Sequence, residues 1–126
     1  MKKPVYHRTY AEIDLSAIRH NFDCLKAKLT PGVKVLSIVK ADAYGHGAVR
    51  VARALEDLAD FYAVAMPEEA WELRKAGISH PILILGYSSP SQYEEMLRHD
   101  IRPAIYDRET AEALSKAAQK LRLTAH

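Results

Sequence analysis

Three short strand-like segments begin about 20 residues apart, at positions 61, 81 and 101, and a segment with helical spacing follows each one. The middle run, Pro81-Ile82-Leu83-Ile84-Leu85, is continuously apolar, as a strand covered on both faces must be. A whole helix in every connection implies crossovers rather than hairpins, and therefore a parallel sheet of an α/β fold. Residues 33–39 extend the pattern backwards as a further strand, with Ala48, Val51, Ala52 and Leu55 marking the helix after it. Residues 61–65 form the next strand. Pro67 then opens a helix, with Glu68 and Glu69 read as charges in its positive first turn, and Gly77 closes it. After the strand at 81–85, Ser89-Pro90 starts a short helix through about Arg98. Residues 101–105 form the last strand. Asp107 caps a longer helix carrying Ala111, Leu114, Ala118 and Leu121.

Upstream, residues 9–14 alternate in places and read as a strand. Ser16 is the expected N-cap of a helix whose stripe is Ile18, Phe22, Leu25 and Leu29, ended by Pro31-Gly32. Residues 121–126 are either a fraying helix end or the start of another strand. Four βα units are half of what a (β/α)8 barrel of about 250 residues uses. The spacing thus leaves two architectures open, a small open α/β domain and part of a barrel, with no linker or second domain inside the chain.

Charge excludes several partners. The 18 basic and 16 acidic side chains leave a net charge of +2, spread without a like-charged run. Nucleic acid and anionic membranes select clustered basic patches, so neither is expected as a partner. Cys24 is the one cysteine, which excludes an internal disulfide and fits a reducing compartment. Met1-Lys2-Lys3 is followed by Pro4-Val5-Tyr6-His7-Arg8 and not by an apolar stretch, so no signal peptide is expected, and no segment is apolar for long enough to span a bilayer. A cytoplasmic protein is the default expectation. Six histidines lie scattered without metal-ligand spacing, and no metal is expected.

Lys40 is the first candidate for chemistry. As the residue after the strand at 33–39, it stands at the C-terminal end of the sheet, where α/β folds bind ligands. A loop and then a helix N-terminus follow, and Gly45 and Gly47 allow close backbone approach to a phosphate. An amine beside an anion site suits a phosphorylated aldehyde. A lone lysine after an apolar run ordinarily snorkels to water, and strand-to-helix turns commonly use glycine, so spacing alone does not decide between these readings.

The string Val39-Lys40-Ala41-Asp42-Ala43-Tyr44-Gly45-His46-Gly47 closely resembles the pyridoxal-phosphate attachment signature of alanine racemases. Thr9-Tyr10-Ala11-Glu12-Ile13-Asp14-Leu15 with Ala17-Ile18-Arg19-His20-Asn21 is similar to the start of that family. Ala63-Val64-Ala65 with Glu69-Ala70 and Leu73-Arg74, and Gly77-Ile78 with the run at 81–86, resemble its next two units. The resemblance covers essentially the whole chain. It implies a partial (β/α)8 TIM-type barrel of about four βα units, in an α/β class with parallel strands. Residues 1–126 would be the N-terminal part of the barrel domain, and residues 9–14 a possible strand of a mostly β second domain that is otherwise absent.

By the same resemblance, Lys40 would carry pyridoxal 5'-phosphate through an imine and act as one of two catalytic bases. Tyr44 would hydrogen-bond in the phosphate region, and Leu85 would pack near the cofactor, unless it is an ordinary core leucine. The implied reaction interconverts L- and D-alanine in a homodimer, supplying D-alanine for peptidoglycan. The opposing base, a tyrosine from the partner subunit, has no counterpart here. The chain is therefore expected to be an N-terminal fragment, inactive alone and prone to associate through its open sheet edges. A non-catalytic pyridoxal-phosphate-binding barrel protein is the alternative, with decarboxylases of the same barrel behind it. A non-enzymatic interaction domain would leave the lysine motif unexplained. His46 is assigned either to holding the loop or capping a helix, or to catalysis. Trp71 is read as packing and Cys24 as inert.

Overall fold

The computed structural model describes residues 8–126. The reading of residues 1–7 as free of a signal sequence lies outside them. Four strands, β1 (Leu36–Ile38), β2 (Phe61–Val64), β3 (Ile82–Ile84) and β4 (Ile101–Arg102), form one sheet in the order β1-β2-β3-β4, with every pairing parallel. Between and around them run α1 (Leu15–Lys26), α2 (Lys40–Gly45), α3 (Ala48–Ala54), α4 (Pro67–Lys75), a 3₁₀ turn at Pro90–Gln92, α5 (Tyr93–Arg98) and α6 (Arg108–Leu121).

Register sorts the two faces of the sheet. Tyr62 pairs with Ile82, Val64 with Ile84, and Ile82 with Ile101. These five side chains are buried and join Ala52, Leu73, Ile78, Met96 and Leu114 in the core between sheet and helices. Inside it the Tyr62 hydroxyl donates to the Ala52 carbonyl at 2.6 Å, and its ring meets His80 edge-on at 5.5 Å. The opposite face carries Leu36, Ile38, Phe61, Ala63, Leu83 and Arg102, with the Arg102 guanidinium 5.3 Å over the Phe61 ring. In a closed (β/α) barrel this face is the packed interior. Here Ile38 is 50% exposed and Leu36 36%. Fully covering such a side chain is worth about 1.5–3 kcal/mol, so the face is built to be covered.

Several sequence expectations need correction. Residues 9–14 form no strand, since no ladder partner for them exists among the described residues. The N-cap of α1 is Asp14 rather than Ser16: its carboxylate accepts from the Ser16 and Ala17 amides at 2.8 and 3.1 Å. α1 ends at Lys26, which leaves Leu29 outside the helical stripe, and Leu25 is exposed. The helix is held instead by Arg19, whose guanidinium grips both Asp57 oxygens at 2.6 and 2.8 Å, and by Lys26 on the Leu58 carbonyl at 2.7 Å. β1 is shorter than residues 33–39 because Val33 closes a turn onto Thr30 and Val39 leaves extended geometry at ψ 21°. β4 stops at Arg102 because Pro103 has no N–H to add to the ladder. On α6, Thr110, Leu114, Ala117 and Ala118 face inward while Ala111 is exposed. Residues 121–126 complete the helix with Arg122 in left-handed geometry and form no strand.

Helix boundaries otherwise follow local chemistry. Pro67 takes a first-turn position in α4, Gly77 ends it at φ +86°, and the Asp107 carboxylate caps α6 through the Thr110 amide at 2.8 Å.

Candidate functional site

All four strands point the same way, so their C-terminal ends form one rim. Lys40 follows β1 by two residues, and Ala65 follows β2 and Leu85 follows β3 directly. The ladder runs on past the strands at this rim: the Val39 amide donates to Ala63, Leu85 to Val64 and Gly86 to Ala65, at 2.9, 2.8 and 3.0 Å. Gly86 is needed for that closeness, since a Cβ there would stand 2.5 Å from the Ala65 carbonyl oxygen.

The chain leaves β1 through an unusual turn. Ala41, Asp42, Ala43 and Tyr44 all take left-handed backbone angles, with φ between 52 and 54°, and Gly45 continues at φ 84°. The left-handed conformation costs about 1–2 kcal/mol for each non-glycine residue, or about 4–8 kcal/mol over four. Two charge-assisted hydrogen bonds hold it, and a third anchors one of the carboxylates that make them. The Glu69 carboxylate accepts from the Ala41 amide at 2.5 Å and, through its other oxygen, from the Ala65 amide at 2.7 Å. The Asp42 carboxylate accepts from the Ala48 amide at 2.7 Å, which also caps α3. Such bonds contribute about 1.5–3 kcal/mol each, about 3–6 kcal/mol for the two on the turn, and so offset much of the strain. The His46 ring nitrogen Nδ1 lies 2.9 Å from the Ala43 carbonyl, so of the roles considered for it the loop-holding one has a contact to support it.

Lys40 is half-buried, with its amine 5.9 Å from the centre of the Tyr44 ring. It makes no ion pair among the described residues. Tyr44 is 68% exposed. Leu85 is 39% exposed and lies outside the buried core; its carbonyl accepts from the Tyr106 hydroxyl at 2.9 Å. Lys40 and Tyr44 are thus neighbours on one turn, and Leu85 stands two strands away on the same rim. An unpaired primary amine beside an exposed phenol is a donor set that fits an aldehyde-bearing anion.

Two contributors escaped the sequence reading. Glu69 was read only as a first-turn charge. Its capping-box position predicts the bond back to the Met66 amide, 3.2 Å here, but nothing local predicts the bond to Ala41. Tyr106 carried no signal beyond its place after a strand. Trp71 does pack, edge-on to His99 at 5.3 Å, and Cys24 is exposed with its sulfur 3.5 Å from His20 Nε2.

A parallel sheet with alternating helices and a lysine at its C-terminal rim defines a partial (β/α) barrel of the lysine-bearing kind. Residues 13–126 match the family described as alanine racemase, N-terminal domain, and the chain belongs to that family. The alanine racemase of Halothermothrix orenii is 47% identical over 121 residues, which are 95% of this chain and 32% of that protein. The alanine racemase of Clostridium difficile 630 in complex with cycloserine superposes with a TM-score of 0.87 at 40% identity, covering 97% of this chain and 33% of that one. Histidine racemase from Leuconostoc mesenteroides is also similar, with a TM-score of 0.77 at 28% identity over 88% of this chain and 30% of its own. The chain spans about a third of the length of the curated relatives it matches.

Proposed function

We propose that this chain is the pyridoxal-phosphate-attaching part of an alanine racemase, and that the whole protein interconverts L- and D-alanine for peptidoglycan synthesis in the cytoplasm. The observation that carries the reading is Lys40, without an ion pair among the described residues, just past the end of β1 and followed at once by the left-handed turn, inside the segment that matches the family. Among the described residues no helix is long and apolar enough to cross a membrane.

Lys40 would hold the cofactor covalently through Nζ, Tyr44 would bind its phosphate region through the hydroxyl, and Leu85 would pack against it. Bound pyridoxal phosphate supplies an electron-withdrawing ring that stabilises charge left at Cα of an amino acid. Lys40 Nζ, when not bonded to the cofactor, would accept or return the Cα proton on its own face. Racemisation also needs a proton on the opposite face. By the family resemblance a tyrosine of a partner subunit supplies it, which makes a homodimer part of the proposal. Residues 1–126 then belong to the N-terminal part of the barrel domain, and this chain alone forms no D-alanine.

The test is addition of pyridoxal phosphate, followed by borohydride and peptide mass analysis. The expected result is an absorption band fixed on Lys40 and lost in Lys40→Ala; a band that survives the substitution places attachment elsewhere. D-Alanine formation by the purified chain, abolished by Lys40→Ala, would overturn the expected inactivity.

A further inference from the structure

We propose that Glu69 is the positioning residue for Lys40: its carboxylate ties the turn that follows Lys40 to the end of β2 and so fixes where the amine stands. The inference rests on the reading of Lys40 as the attachment point.

The reasoning starts from what a helix cap requires. Glu69 is the third residue of α4, and a capping-box glutamate needs one oxygen to reach back to the amides that precede its helix. Here Oε2 does that alone, accepting from Ala65 at 2.7 Å and Met66 at 3.2 Å. Oε1 is left for a second task and accepts from the Ala41 amide at 2.5 Å, across 28 residues of sequence. The two oxygens of one carboxylate therefore bridge the first residue after Lys40 and the first residue after β2.

The placement of that bridge matters because of the backbone it holds. Ala41 is the first of four successive left-handed residues. The turn has bonds of its own further along, from Ala43 to Val39, from Gly47 to Asp42 and from Ala48 to the Asp42 carboxylate. Among the described residues, the bond from Ala41 is the one that ties the turn's first residue to a neighbouring βα unit. Without it, the peptide joining Lys40 to Ala41 is free to relax toward the right-handed region that alanine prefers. A half-buried lysine side chain swings with that peptide, so a modest rotation at Ala41 displaces Nζ from a cofactor whose phosphate is bound elsewhere. Glu69 touches neither Lys40 Nζ nor any reacting atom, so its effect runs through the backbone.

The experiment compares the unaltered chain with Glu69→Gln, Glu69→Ala and, as a neighbour that makes no such contact, Glu68→Ala. Two quantities are read: borohydride-fixed pyridoxal phosphate on Lys40 against cofactor concentration, and amide hydrogen exchange resolved at Ala41 and at the core strand residues Tyr62 and Val64. In Glu69→Ala, Ala41 exchange should rise and attachment should need at least about tenfold more cofactor, the low end for losing the one charge-assisted bond to the turn, while Tyr62 and Val64 keep their protection. Glu69→Gln, which keeps one accepting oxygen, should fall between, and Glu68→Ala should match the unaltered chain. If core protection collapses in Glu69→Ala, the Glu69→Gln comparison decides. Attachment unchanged in Glu69→Gln and in Glu69→Ala, in a chain that does attach the cofactor, overturns the positioning role alone. No attachment by the unaltered chain removes the attachment reading and the inference with it.

Discussion

The carboxylate of Glu69 and the amide of Ala41 meet at 2.5 Å, joining the start of α4 to the residue after Lys40. Neither position is distinguished locally: one is a helix-start glutamate, the other an alanine beside a lysine. Their contact exists because β1 and β2 are parallel neighbours in register, Ile38 opposite Ala63, which brings both C-terminal ends to one place.

Asp42 offers the first prediction away from the lysine itself. Its carboxylate caps α3 through Ala48, and aspartate tolerates left-handed geometry better than most residues. Asp42→Ala should cost about 1.5–3 kcal/mol in urea unfolding, the loss of one charge-assisted bond. Asp42→Asn should cost less, because the amide oxygen still accepts. Equal losses would show that charge, not acceptance, holds the cap.

Gly86→Ala should be among the more damaging single-methyl additions in the chain. The new Cβ would lie 2.5 Å from the Ala65 carbonyl oxygen, a backbone atom that cannot swing aside. Overpacking of this kind costs about 1–3 kcal/mol. Denaturant unfolding should show a lowered midpoint with an unchanged slope; an unchanged midpoint would mean that the rim opens without cost.

Stability should fall at both ends of the pH range, for different groups. The Arg19 guanidinium holds the Asp57 carboxyl down to about 2, below its unfolded value of 3.8. A depressed carboxylate contributes above the unfolded pKa, and the contribution is lost as pH falls from near 4 toward 2. Asp57 is well exposed, so salt should weaken this limb. Burial pushes the Tyr62 hydroxyl up to about 12, from 10. Its contribution is complete below pH 10 and is lost as pH rises toward 12. Thermal melts against pH should show both limbs. Tyr62→Phe should remove the alkaline one, at a cost of about 1 kcal/mol at neutral pH for the lost bond to Ala52.

The open sheet should make the isolated chain associate. β1 and β4 are edges, and the face bearing Leu36 and Ile38 is uncovered. A groove of about 470 Å³ beside α6, lined by Ile105, Leu114, Ala118 and Leu123, adds further apolar surface. Sedimentation velocity should show mass rising with concentration. A single monomer boundary across a hundredfold range in concentration would contradict this.

Much of the architecture was legible because its signals are local. Short apolar runs, Pro67 opening a helix, Gly77 closing one and Asp107 capping another depend on neighbours within a turn, and each appears where the pattern puts it, the strands within shorter bounds. The misjudged boundaries depend on partners that sequence does not display. Residues 9–14 have strand character without a strand to pair with, and Asp14 displaced Ser16 as cap because a carboxylate accepts two amides at once.

The sequence by itself determined the parallel βα order, the place of Lys40 after the first sheet strand and the family to which that lysine motif belongs, since each is written in contiguous residues. Only the tertiary structure decided that four residues after Lys40 run left-handed and that Glu69 restrains the first of them. Left-handed backbone in Ala-Asp-Ala-Tyr opposes local preference, so it cannot be read from those residues; a bond from Glu69 in the next βα unit and the Asp42 bond to Ala48 help to hold it against that cost.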